Sequence, residues 1–89
     1  MTKLLLLDFW APWCGYCEAM EATLNELSVA YADKLEIKKI NIDEDKPLAE
    51  KYNILGIPTY VILKEGEQLG RISGYRQKDE MKAFIEGFL

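Results

Sequence analysis

The tetrapeptide Cys14-Gly15-Tyr16-Cys17 restricts this chain more than any other stretch, because it holds both cysteines and stands where an apolar run gives way to a helical pattern. Before it lies Leu4-Leu5-Leu6-Leu7, which reads as a strand buried at the centre of a sheet. After it, Met20, Leu24, Leu27 and Tyr31 fall on one helical stripe that must face that sheet. A pair of thiols at such a junction can close a small ring and reopen it without rebuilding the fold. That is the behaviour of a redox switch.

Only the thiolate of a cysteine attacks, and the start of a helix offers unpaired N–H groups and partial positive charge that favour it. Cys14 falls at that start and reads as the nucleophile. Cys17, one turn further in, reads as the resolving thiol, sheltered by its neighbours yet close enough to attack a disulfide formed on Cys14. Glu18 and Glu21 suit the helix dipole but bring negative charge that opposes a thiolate at Cys14. The same spacing also fits half of a zinc site or a structural disulfide. Zinc takes four ligands, and with two cysteines and no histidine only a dimer could supply them. A purely structural bridge across so short a loop removes little chain entropy.

With 89 residues and a net charge of −4, the chain has room for one domain, 1–89, with a small core. Mild acidity and eleven scattered basic residues argue against nucleic acid as a partner. The run after Lys3 is too short for a signal-peptide core and is interrupted by Asp8, so neither a leader nor a membrane association is expected. A cytoplasmic location follows as the default, and there such a cysteine pair is more often catalytic than structural.

Asp8 is the other residue that asks for an explanation. A carboxylate in a central strand must be paired, hydrogen-bonded or protonated. In the next strand Leu35, Ile37 and Lys39 share a face by period two, so Lys39 can pair with Asp8 or snorkel to solvent. Lys46-Pro47-Leu48 opens a short helix that closes at Tyr52-Asn53. Tyr60-Val61-Ile62-Leu63 and Gln68 to Ser73 form a hairpin turning at Glu65-Gly66-Glu67, with Gly70 at a bulge where the alternation slips. Met81, Phe84, Ile85, Phe88 and Leu89 make the apolar face of a last helix. The order is strand, helix, strand, helix, strand, strand, helix, with the first two strands parallel because a helix crosses between them.

Asp8-Phe9-Trp10-Ala11-Pro12-Trp13-Cys14-Gly15-Tyr16-Cys17 resembles the active-site segment of thioredoxins. Lys39-Ile40-Asn41-Ile42-Asp43, Tyr52-Asn53-Ile54-Leu55-Gly56-Ile57-Pro58-Thr59, Lys64-Glu65-Gly66-Glu67 and Gly74 follow in that family's order and spacing, so the resemblance covers essentially the whole chain. It departs from the family in lacking the usual first strand and helix. Tyr16 stands where proline is usual, Ala22 where a helix-kinking proline is usual, and Glu18 where lysine is common.

The resemblance implies an α/β thioredoxin fold reduced to βαβαββα, a four-stranded mixed sheet ordered 2-1-3-4, with the first and third helices on one face. It implies that Asp8, with Lys39 beside it, takes the proton from Cys17, and that Pro58 is cis and packed against the cysteines. The backbone at Ile57 then pairs with an extended substrate. Gly74 lines the groove, Tyr75 adds a wall, Trp13, Ile57, Pro58 and Tyr75 form an apolar docking patch, and Gly15-Tyr16 tunes the redox couple.

The implied activity is that of a thiol-disulfide oxidoreductase reducing protein disulfides. It needs no metal or organic cofactor beyond the Cys14-Cys17 disulfide, works as a monomer, and is reset by thioredoxin reductase or the glutathione system. Short length and Tyr16 are similar to glutaredoxins, a glutathione-dependent alternative. A non-catalytic dimeric module binding zinc or an iron–sulfur cluster is the other.

Overall fold

Elements follow in the expected order: β1 (Leu4–Trp10), α1 (Gly15–Ala30), β2 (Leu35–Asn41), α2 (Lys46–Lys51), β3 (Thr59–Lys64), β4 (Glu67–Ser73) and α3 (Lys78–Glu86). They belong to a computed structural model that describes residues 3–89. The strands lie in the order β2-β1-β3-β4. β1 pairs parallel with β2 and antiparallel with β3, so it has ladders on both sides.

Helices cover both faces of β1, which is why its apolar residues run consecutively instead of alternating. On one face Leu4 and Leu6 pack with Met20, Leu24 and Leu27 of α1, Tyr60 and Ile62 of β3, and Met81 and Ile85 of α3. On the other, Leu7 and Phe9 pack with Val61 and Leu63 beneath Leu48, Ala49 and Tyr52. Full burial of a side chain such as Phe9 contributes about 2–3 kcal/mol. α1 and α3 are also tied at their ends, where the Tyr31 hydroxyl donates to Glu86 Oε2 at 2.6 Å and Lys78 Nζ lies 2.7 Å from Glu26 Oε2. α2 begins as its proline suggests, with Asp45 accepting from the Leu48 N–H at 3.2 Å.

The end of α3 corrects the sequence reading. The helix stops at Glu86 with Gly87 as its cap, so Leu89 leaves the apolar stripe and is 49% exposed. The hairpin turns through Glu65 and Gly66, both at positive φ, as a two-residue turn that follows strand twist requires. The slip in β4 is a bulge: Ile62 pairs with Gly70 and Leu63 with Gln68, leaving Leu69 as the extra residue. Gly70 is required by a close approach, since a Cβ there would lie 2.5 Å from Phe88 Cζ. That ring is held edge-on to Phe84, with centroids 5.3 Å apart. Gly70→Ala is therefore expected to destabilise by about 1–3 kcal/mol in urea unfolding, and by less in a Phe88→Leu background, where the double-mutant cycle isolates the clash.

Candidate active site

At the end of β1 the chain turns through Ala11, Pro12 and Trp13, and the Cys14 N–H closes the turn on the Ala11 carbonyl at 3.1 Å. Cys14 is extended, with φ −92 and ψ 107, and is the N-cap of α1. Its Sγ accepts the Cys17 N–H at 3.1 Å, taking the place that a serine or aspartate oxygen holds at other helix starts. The sulfurs of Cys14 and Cys17 are joined as a disulfide. In this oxidised pair Cys14 is 8% exposed and Cys17 6%, so solvent exposure does not separate them as the sequence led us to expect. What separates them is the helix end: one sulfur sits on it and the other lies inside the first turn.

The pair rests on Ala11, with Trp10, Ile42 and Ile57 packed around it. Ile57 is thus brought to the disulfide, joined to Pro58 by a cis peptide bond, and Pro58 is fully buried. The Pro58 carbonyl accepts the Gly74 N–H at 2.8 Å, and the Thr59 hydroxyl donates to the Gly56 carbonyl at 2.7 Å. Gly15 opens α1 with open space at its Cα. Around this floor stand exposed aromatics. Tyr16 is 68% and Tyr75 50% exposed, with ring centroids 6.4 Å apart. Trp13, 67% exposed, is held by its indole N–H, which donates to Asp43 Oδ2 at 2.9 Å.

Asp8 is buried in β1, beside Lys39 of β2 and Tyr60 of β3 in the strand register. It lines a cavity of about 210 Å³ with Glu21, Leu24, Asn25, Ser28, Ile37 and Lys39. Burial raises its pKa from 3.8 to about 6, the Lys39 ammonium pulls the other way, and the Glu21 carboxylate adds to the rise. The ion pair open to Asp8 and Lys39 is not made. Among the described residues the partner of Lys39 Nζ is Glu21 Oε1 at 3.4 Å, and the ammonium lies 4.5 Å from the centroid of the Trp10 ring. No group of three or more His, Cys, Asp and Glu side chains is gathered as for a metal among the described residues, and none of their helices is long and apolar enough to cross a membrane.

A family model for thioredoxin matches residues 1–87. The chain belongs to the thioredoxin family. It is 40% identical to a thioredoxin of Bacillus subtilis over 97% of this chain and 83% of that protein. To a thioredoxin of Alicyclobacillus acidocaldarius it is 38% identical, over 98% and 83%. The crystal structure of the germline-specific thioredoxin Deadhead of Drosophila melanogaster superposes with a TM-score of 0.93 at 32% identity, covering 98% of this chain and 82% of that one. The oxidised mitochondrial thioredoxin 3 of Saccharomyces cerevisiae gives 0.89 at 30%, over 99% and 81%. The Cys14-Cys17 pair is accordingly that of a thiol-disulfide oxidoreductase, on the thioredoxin fold expected from the sequence.

Sequence reasoning passed over some of the residues that shape this thioredoxin site. From the sequence Glu21 reads only as a charge near Cys14, although it stands one helical turn after Cys17 and so shares its face. Asp43 reads from the sequence as part of a motif, not as the anchor of Trp13. Tyr60 is the one hydroxyl amid Val61, Ile62 and Leu63, and its phenol is buried with no hydrogen-bond partner among the described residues. Burial, and the charge of Asp8 nearby, hold that phenol above the usual tyrosine range. Leu55, just before Gly56-Ile57, is 91% exposed.

A carboxyl whose folded pKa exceeds its unfolded one favours the folded state at acid pH, and that contribution is lost as pH rises through the folded value. Asp8→Asn is therefore expected to stabilise the oxidised protein in urea unfolding by roughly 2–3 kcal/mol near pH 8, and by little near pH 4. A gain equal at both pH values would show that the ionised carboxylate is not what costs stability.

Proposed function

We propose that this protein reduces disulfides of other proteins, with Cys14 as the attacking and Cys17 as the resolving thiol. The observation that carries this reading is the hydrogen bond from the Cys17 N–H to Cys14 Sγ at the N-cap, an arrangement that favours negative charge on that sulfur once the pair is reduced. The Cys14 thiolate attacks one sulfur of the substrate disulfide, that bond breaks, and one substrate thiolate leaves. Cys17 then gives its proton to Asp8 through water and attacks Cys14 Sγ. The mixed disulfide breaks, the second substrate thiolate leaves and takes up a proton, and the Cys14-Cys17 disulfide remains. Two electrons have passed to the substrate, and an upstream reductase, either thioredoxin reductase or the glutathione system, restores the dithiol. Removal of the proton by a positioned base contributes on the order of 10²-fold.

Substrate recognition falls to the surface around the pair. An extended segment pairs with the backbone at Ile57 beside Gly74, over the floor made by Gly15 and Pro58, which gives sequence-tolerant binding. Trp13, Tyr16 and Tyr75 supply apolar walls, and their exposure supports that role. Lys39 keeps the Asp8 site from carrying a net charge of two carboxylates. The protein acts as a monomer in the cytoplasm, with no cofactor beyond its own disulfide and without contact to nucleic acid or membrane.

A Cys17→Ser variant is expected to accumulate mixed disulfides on Cys14 when offered oxidised insulin or a cell extract, seen as reducible higher-mass bands and located by peptide mapping. Cys14→Ser should form none and should lose disulfide reductase activity entirely. Adducts that persist in Cys14→Ser would reverse the assignment of the two sulfurs.

A further inference from the structure

Among the described residues, the cation acting on Asp8, Lys39, is shared with Glu21. Register places Lys39 directly beside Asp8, and its ammonium lies 3.4 Å from Glu21 Oε1 and rests against the face of Trp10. Glu21 comes from α1, one turn after Cys17, and lines two neighbouring cavities: the one of about 210 Å³ shared with Asp8 and Lys39, and one of about 220 Å³ shared with Cys14, Trp10 and Glu18. The third element packed against Asp8, β3, presents only the neutral phenol of Tyr60. Asp8 therefore feels one cation, one second carboxylate and an unpartnered hydroxyl.

This ion pair is of little use to the fold. Its side chains are 47% and 51% exposed, and pairs of that kind contribute almost nothing measurable to stability. Its two charges act on the buried carboxylate in opposite directions, the Lys39 ammonium lowering its pKa by more than the Glu21 carboxylate raises it. A second negative charge nearby and a cation drawn aside both make the protonated form of Asp8 easier to hold. A base that holds its proton near neutral pH accepts one during turnover and returns it afterwards with the least penalty.

We propose that Glu21 is a positioning residue that keeps the Lys39 ammonium off the Asp8 carboxylate and so decides how readily Asp8 accepts the proton of Cys17. The inference rests on the reading of Asp8 as the base in the resolving step. It adds a group on the helix that carries the cysteines, so that the charge of α1 enters the proton transfer.

The test follows the two thiolates released when reduced protein is mixed with a stoichiometric amount of a chromogenic aryl disulfide. The first reports attack by Cys14 and the second reports ring closure by Cys17. In the wild type the rate of the second release should fall on the acid side through the region near pH 6 where Asp8 takes its proton. Glu21→Gln should move that limb to lower pH by about half a unit, Lys39→Met should move it to higher pH, and Asp8→Asn should remove it. A limb that Asp8→Asn removes but Glu21→Gln leaves at the wild-type position overturns the inference and spares the base. A limb that survives in Asp8→Asn overturns the base and the inference together. A change in stability alone, with no movement of the limb in Glu21→Gln, likewise counts against it.

Discussion

β1 is hydrogen-bonded on both sides and covered on both faces, and the placement of the Cys14-Cys17 pair depends on that burial. A strand held in this way has a fixed end, so the turn through Ala11, Pro12 and Trp13 delivers Cys14 to one place. The helix that follows starts on the sulfur of Cys14, and its own apolar stripe is pinned to the same sheet. The redox pair therefore lies between two elements packed on one core.

The same strand carries the one feature that works against its burial. Asp8 interrupts an apolar face, and its carboxyl is costly in the ionised form. A side chain chosen for stability would be apolar. What remains around it is a notch lined by Glu21, Asn25, Ser28 and Lys39. The loop that carries Ile57 and Pro58 is the counterpart on the other side: it is anchored through Thr59 and Gly74, and it presses an aliphatic side chain onto the disulfide.

Much of this was legible before any coordinates. Leu4 to Leu7 without alternation spoke for a central strand, the stripe from Met20 to Leu27 for the helix above it, and the spacing of Cys14 and Cys17 for the chemistry. The hairpin and the slip near Gly70 also followed from pattern, though not that Leu69 would be the looped residue or that Phe88 would fill the space over Gly70. Pro58 as a cis residue came from family resemblance, because no periodicity distinguishes cis from trans. The partner of Lys39 was not legible at all. Long side chains choose among carboxylates by reach and solvation, and only three dimensions place Glu21 in range. The anchoring of Trp13 by Asp43, across thirty positions of sequence, is of the same kind. Leu89 failed for a simpler reason, since helical periodicity does not announce where a helix stops.

By this reading the two sulfurs, nearly equal in burial when joined, become unequal when parted because only Cys14 sits on the helix end. Alkylation of the reduced, folded protein at neutral pH with limiting iodoacetamide, followed by peptide mapping, tests this directly. Label on Cys14, with Cys17 reacting only after unfolding, is the expected result. Equal labelling of the two cysteines in the folded protein would contradict it.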